Sequence, residues 1–158
     1  MNRWSKWRSF KEKESALNEI PEEPGIYQFR SVKKGIPIKI QRLKKNDEKG
    51  ILSIGESGNL KKRIKAFWYS LKNKDYSSHA AAWHYLSFGF DKNFPAHSLE
   101  FRYKKSGTKS KAIKEECIEL LRYRNKFMDG PPLNISRGKY PPSYEKIFKQ
   151  ITGRELLG

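Results

Sequence analysis

The stretch Ile51-Leu52-Ser53-Ile54-Gly55-Glu56-Ser57-Gly58-Asn59-Leu60-Lys61-Lys62-Arg63-Ile64 changes periodicity midway, and that change sets the fold class. Its first four residues are mostly apolar, in the manner of a short strand. Gly55 to Asn59 are small and polar and read as a turn. Asn59 suits a helix N-cap, because its side-chain oxygen accepts from an otherwise unpaired helical N–H. From there Leu60, Ile64, Phe67, Trp68 and Leu71 form one apolar stripe at helical spacing. The other faces carry Lys61, Lys62, Lys65 and Lys72. A strand, a tight turn and an amphipathic helix in close succession predict an α+β chain.

Upstream, Ile20-Pro21-Glu22-Glu23-Pro24 is a rigid lead-in, since two prolines and then Gly25 end any helix. Residues 25–30 read as a strand. Residues 36–43 read as a second, with Ile36, Ile38, Ile40 and Leu43 spaced roughly at period two. Lys33-Lys34-Gly35 between them reads as a tight turn. With residues 51–54 these strands give the expected architecture, a small three-stranded antiparallel sheet flanked by helices. Residues 1–20, basic and carrying Trp4, Trp7 and Phe10, are expected to form a helix packed on the domain.

Downstream, residues 78–88 read as helix and 98–103 as a further strand. The longest helix is predicted over 109–127. Its core face is Ile113, Cys117, Leu120, Leu121 and Phe127, and Gly130-Pro131-Pro132 stops it. Residues 143–151 add a last helix. The expected organisation is one domain over residues 1–158, with an N-terminal helix at 1–20, a core at 20–135 and a helical extension at 136–158.

Thirty-four Lys and Arg against seventeen Asp and Glu leave a formal charge of +17. A compact domain this basic repels itself, which points to a polyanionic partner. Nucleic acid is the first candidate and an anionic membrane surface the second. Lys61, Lys62, Lys65, Lys104 and Lys105 are the expected contacts to a phosphate backbone. The lone Cys117 cannot close an internal disulfide, so nothing suggests an oxidising compartment. No apolar run approaches the roughly 20 residues of a membrane span. Met1 to Trp7 is followed by no hydrophobic segment of a secretory signal, and a cytosolic location is expected.

Several residues fall into an ordered set. Gly25-Ile26-Tyr27 lies on one strand and Ser53-Ile54-Gly55 on another, and Arg63 follows that last glycine by eight residues on a helix. Further on come Ala112, Glu116 and Tyr123 on the long helix, then Asn134 just after Pro131-Pro132. In this order the chain resembles the GIY-YIG nucleases, a family of homing, excision-repair and restriction-type endonucleases. The resemblance spans roughly residues 20–135. It implies hydrolysis of nucleic acid phosphodiesters, DNA first, with one Mg²⁺ or Mn²⁺ held by Glu116. It also implies Tyr27 as general base and Arg63 on the phosphate, with Ser53, Gly55, His79 and Asn134 in support. Two positions depart from the family pattern: Ser53 stands where a second Tyr is expected, and Phe67 where relatives carry His or Tyr. They motivate an alternative, a nucleic-acid-binding module of the same fold without catalysis. A basic membrane-surface or scaffold protein is a third reading.

The chemistry of these side chains fits the roles. Arg63 lies about 300° around the helix from Leu60, at the border of a stripe centred near 20°. Its fixed fork of donors suits a phosphate gaining negative charge. With Glu116 set at 0°, the core stripe of its helix centres near 70°, Glu115 points almost directly away, and Glu119 lies about 130° off. Glu116 alone is expected to lean over the sheet. A single Glu with water suits Mg²⁺, a hard ion that keeps much of its hydration. A phenol titrates near 10, so Tyr27 needs nearby cations to favour phenolate. A chain of this length is expected to leave little room for a separate target-reading domain, which leaves structure-selective cutting, short-site restriction-like cutting as a homodimer, or a partner as sources of specificity.

Overall fold

The computed structural model describes residues 3–12, 14–74, 79–135 and 138–156. Ten regular elements follow in the order β1 (Arg8–Ser9), α1 (Glu14–Asn18), β2 (Gly25–Lys33), β3 (Ile36–Pro37), β4 (Ile51–Ser57), α2 (Leu60–Asn73), α3 (Ala80–Ser87), β5 (Leu99–Lys105), α4 (Lys109–Phe127) and α5 (Tyr144–Thr152). The chain is α+β, with a five-stranded antiparallel sheet and helices on both faces.

β2 is the centre of that sheet. Pro21 and Pro24 deny helix to the approach, and the residues beyond alternate across the pleat. Tyr27 and Phe29 go to one face, and Ile26, Gln28 and Arg30 to the other. β2 pairs with β4 on one side, Tyr27 opposite Gly55 and Phe29 opposite Ser53. On its other side it pairs with β5, Phe29 opposite Phe101 and Tyr27 opposite Tyr103. The strand is buried on both faces as far as Phe29. One cluster joins Phe10, Phe29, Phe67 and Phe101, with the Phe29 and Phe67 rings stacked at 4.0 Å. It binds α2 and α3 to that face. Ile51 and Ile54 meet Leu120, Tyr123 and Phe127 of α4 in a second cluster. α5 covers α4 from outside through Cys117, Leu121 and Ile147.

Three expectations change here. The strand expected over 36–43 is reduced to Ile36–Pro37, and Ile40 makes only an isolated bridge to Asp47. Ile36 is 69% and Leu43 79% exposed, so this segment buries no apolar face that would fix a long strand. The third long strand is β5, whose pairing with β2 crosses some seventy residues, Arg30 opposite Glu100. The expected three-stranded sheet therefore has five strands. The turn itself is as read: Lys34 and Gly35 both take positive φ, 51° and 75°, the arrangement whose twist matches a two-residue hairpin.

The helix expected over 1–20 is the third change. Among the described residues, the chain runs extended along β5, with the Ser5 N–H donating to Tyr103 O at 2.8 Å, then forms β1 on that strand. A short 3₁₀ turn and α1 follow. The free edge of β5 offers unpaired backbone groups, and pairing satisfies them. The tryptophans hold the strap flat: Arg30 lies 4.2 Å from the Trp7 ring centre and Arg102 lies 4.4 Å from that of Trp4.

The two helices that carry the candidate residues are closed by side chains. Asn59 Oδ1 accepts from Lys62 N at 2.9 Å and caps α2. Thr108 Oγ1 accepts from Lys111 N at 3.2 Å and caps α4. Because α4 lies between the sheet and α5, it buries more than one stripe, taking in Ala112, Glu116 and Tyr123 besides most of its expected core face. Among the described residues no helix is long and apolar enough to cross a membrane.

Candidate active site

β4 pairs along one side only, with β2, and its other edge is sealed by the loop after α4. Leu133 N donates to Leu52 O at 2.8 Å. Asn134 bonds Ile54 twice, Oδ1 accepting from its N–H at 2.9 Å and Nδ2 donating to its C=O at 2.7 Å. Asn134 thus acts as one rung of a missing strand and fixes the Pro-Pro loop. Among the described residues the seal stops there, and a cavity of about 310 Å³ opens at the C-terminal part of β4.

Gly55 forms the floor of this cavity for a steric reason. A Cβ at Gly55 would lie 2.3 Å from the Tyr27 hydroxyl oxygen, so only glycine lets the phenol cross its neighbouring strand to the sheet edge. Arg63, from the first turn of α2, and Glu116, from α4 on the opposite face, reach the same cavity. Tyr27, Arg63 and Glu116 are therefore brought together, with Ser53, Gly55, His79 and Asn134 on the same walls. Tyr123 is not among them: it is buried beneath the loop before β4, its hydroxyl donating to Asp47 Oδ2 at 3.0 Å.

The phenol is surrounded by donors. Burial raises the Tyr27 pKa, and the neighbouring Arg63 guanidinium opposes that shift by its charge and by a hydrogen bond. Burial wins, aided by the carboxylates of Glu116 and Glu56, so the resting phenol keeps its proton. The sequence-based expectation of a phenolate favoured by cations is met only in the sign of the Arg63 contribution. The second donor is His79. Its Nδ1 accepts from Ala81 N at 3.2 Å, capping α3, and its Nε2 lies 3.4 Å from Tyr27 Oη. Burial, and then the Arg63 charge, push the His79 pKa down to about 3, so the ring is neutral. With Nδ1 accepting, the single ring proton sits on Nε2 and points at the phenol oxygen. His79 also stands edge-on to Phe67 at 5.3 Å.

On the other side, burial raises the Glu116 pKa to about 7. Glu56 adds to that shift, while Lys139, Lys109 and a hydrogen bond from the Glu56 backbone oppose it. Gly138 closes over this carboxylate at φ 80°, where an added Cβ would come 3.4 Å from Glu116 Oε2. Glu115 does not point into water as expected; it accepts from Ser106 Oγ at 2.5 Å and pairs with Lys104 at 3.7 Å.

Glu56 was not singled out from the sequence. Its side chain is 8% exposed and paired with Lys109 and with Lys139, the latter at 3.3 Å. The available signal was strand alternation: a residue next to Gly55 must face the opposite side, toward α4. Its two lysines come from distant segments, which no local pattern announces. None of the five expected binding lysines lines the cavity. Lys61 pairs with Glu22, Lys65 with Asn18, Lys104 with Glu115 and Lys105 with Glu23.

Among the described residues no cluster of three or more His, Cys, Asp or Glu side chains gathers for a metal ion. The cavity's two carboxylates still suit one hydrated hard cation. Glu56 is occupied by lysines, and Glu116, desolvated by burial and beside the Glu56 charge, holds a raised proton affinity. A divalent ion would satisfy Glu116 as the proton does, and Mg²⁺ is commonly held by only one or two carboxylates with water. The chain matches no protein-family model, no curated protein and no solved structure.

Proposed function

We propose that this chain is a metal-dependent endonuclease that hydrolyses phosphodiester bonds of nucleic acid, DNA first, on a GIY-YIG-like core. The observation that carries the reading is the meeting of Tyr27, Arg63 and Glu116, from three separate elements, around one small cavity at the edge of β4. Glu116 would hold Mg²⁺ or Mn²⁺, which when bound supplies positive charge for the leaving oxygen. Arg63 binds the phosphoryl oxygens and stabilises their growing charge in the transition state. A water oxygen attacks phosphorus, its proton passes to Tyr27 as phenolate, and the bond to the 3′ oxygen breaks. Arg63 and His79 both donate to Tyr27 Oη, which favours the phenolate needed for that transfer. Because burial holds the resting phenol protonated, cutting is expected to accelerate as pH rises above neutrality.

The test is incubation with plasmid and with single-stranded DNA, in Mg²⁺ or in EDTA, beside Glu116→Ala. Metal-dependent nicking abolished by the substitution supports the reading. No nicking, or nicking unchanged in the variant, removes it. The raised Tyr27 pKa and Ser53 in place of a second tyrosine favour one rival, a binding module of the same fold. It predicts salt-sensitive DNA binding without nicking by the pure protein.

A further inference from the structure

The helix that gives Glu116 to the cavity lines a second concavity on its far side. A groove of about 870 Å³ runs between α4, α5 and the loop before β4. Among the described residues its walls carry six cations, Lys44, Lys45, Lys114, Arg122, Lys126 and Lys146, and no acidic side chain. Its floor is apolar, from Ile118, Ile147 and Ile151. On α4, Lys114, Ile118, Arg122 and Asn125 follow at helical spacing, centred about 165° around the axis from Glu116. The groove is therefore separate from the cavity.

These cations are exposed, and most are uncommitted. Lys45, Lys114 and Lys146 have no partner among the described residues. Arg122 pairs only with Glu119, at 3.6 Å, and is itself 65% exposed, so that contact yields readily to a stronger anion. The expected binding lysines are in the opposite condition, four of the five being held by neighbours in the protein.

We infer that this groove is a binding site for the backbone of single-stranded nucleic acid. From Lys114 to Lys126 the wall extends about 18 Å, the length of about five nucleotides at 3.4 Å per step. A duplex keeps its base faces stacked inside, so it can set only phosphates against the lysines and leaves the isoleucine floor uncovered. A single strand enters, sets its phosphates against the lysines and lays exposed bases on the isoleucine floor. Among the described residues no aromatic side chain lines the groove, so binding is mainly electrostatic and indifferent to sequence. The inference shares with the proposed function only the choice of nucleic acid as partner.

The experiment measures binding of a labelled oligothymidylate by fluorescence anisotropy across a salt series, in EDTA, so that cutting plays no part. The triple variant K45Q/K114Q/K146Q removes three phosphate contacts. It should lower the slope of log affinity against log salt by about 2, at about 0.7 per contact, with an unchanged melting temperature. Binding of a duplex of equal length should change less. An unchanged slope, an equal loss on duplex, or polyglutamate competing as well as the oligonucleotide at equal charge would overturn the site. The measurement is made in EDTA and needs no cutting, so a failed nuclease assay leaves this result standing.

Discussion

α4 presents two surfaces that treat charge in opposite ways. Toward the edge of β4 it places Glu116 in a buried cavity with a second carboxylate, where desolvation moves proton affinities by large amounts. Toward α5 it lines up exposed lysines in a wide groove whose floor is isoleucine. The first surface can do chemistry because burial makes each charge strong and specific. The second can hold a long anion because its charges are exposed, numerous and interchangeable. The pair of regions predicts that binding and cutting are separable by substitution.

The largest effect is expected at Arg63. Arg63→Ala removes the cation that faces the phenol and, on the proposed function, the phosphate, and should slow cutting by about 10² to 10³, the usual loss for one transition-state donor. Affinity for oligonucleotide in EDTA should fall only slightly, the reverse of the groove variant. Single-turnover cutting assays alongside anisotropy check both. If Arg63→Ala weakened binding as strongly as it slowed cutting, the division between the surfaces would collapse.

The next effect concerns stability. Glu116 holds its proton to about pH 7 in the folded chain, against an ordinary carboxyl value of 4.5. The folded state therefore binds this proton more tightly than the unfolded state. The resulting stability is fully present below about 4.5 and is lost as pH rises through about 7, to an upper bound of about 3 kcal/mol. Glu116→Gln keeps a neutral group at every pH. Its melting temperature should match the wild type near pH 4 and exceed it by several degrees near pH 8. Added Mg²⁺ should raise the wild-type value near pH 8 and leave the variant unmoved. Parallel melting curves at every pH would mean that the cavity does not press on this carboxylate.

How far all this was legible in the sequence follows from how local each feature is. The apolar stripe of α2 and the Asn59 cap depend on residues within a few positions, and α4 and the Lys34-Gly35 turn are read the same way. β5 is itself legible as a strand over 98–103, but its place beside β2, like the N-terminal strap, depends on long-range pairing that no local pattern announces. Among site residues, Tyr27, Arg63 and Glu116 stood out through their order along the chain, and folding brings them to one cavity. Glu56 and its lysines stayed hidden because only tertiary packing joins Lys109 and Lys139 to the same carboxylate. The groove was hidden for a similar reason: lysines on α4 look like an ordinary solvated face until α5 and the loop before β4 supply the other walls.

The smallest effect separates two roles combined in one side chain. His79 caps α3 through Nδ1 and faces the phenol through Nε2. His79→Ala loses both roles and should cost about 1 kcal/mol of stability from the cap alone. His79→Asn keeps an oxygen for the Ala81 N–H, since Asn is among the best caps, and loses only the donor toward Tyr27. A hydrogen bond as long as 3.4 Å is weak, so cutting should slow by about tenfold or less. The direction of the pH profile is the sharper readout. Loss of a donor at the phenol oxygen disfavours phenolate, so the alkaline rise in cutting should move to higher pH in His79→Asn. A residue that merely caps a helix would leave that profile in place, and an unmoved profile would reduce His79 to a cap.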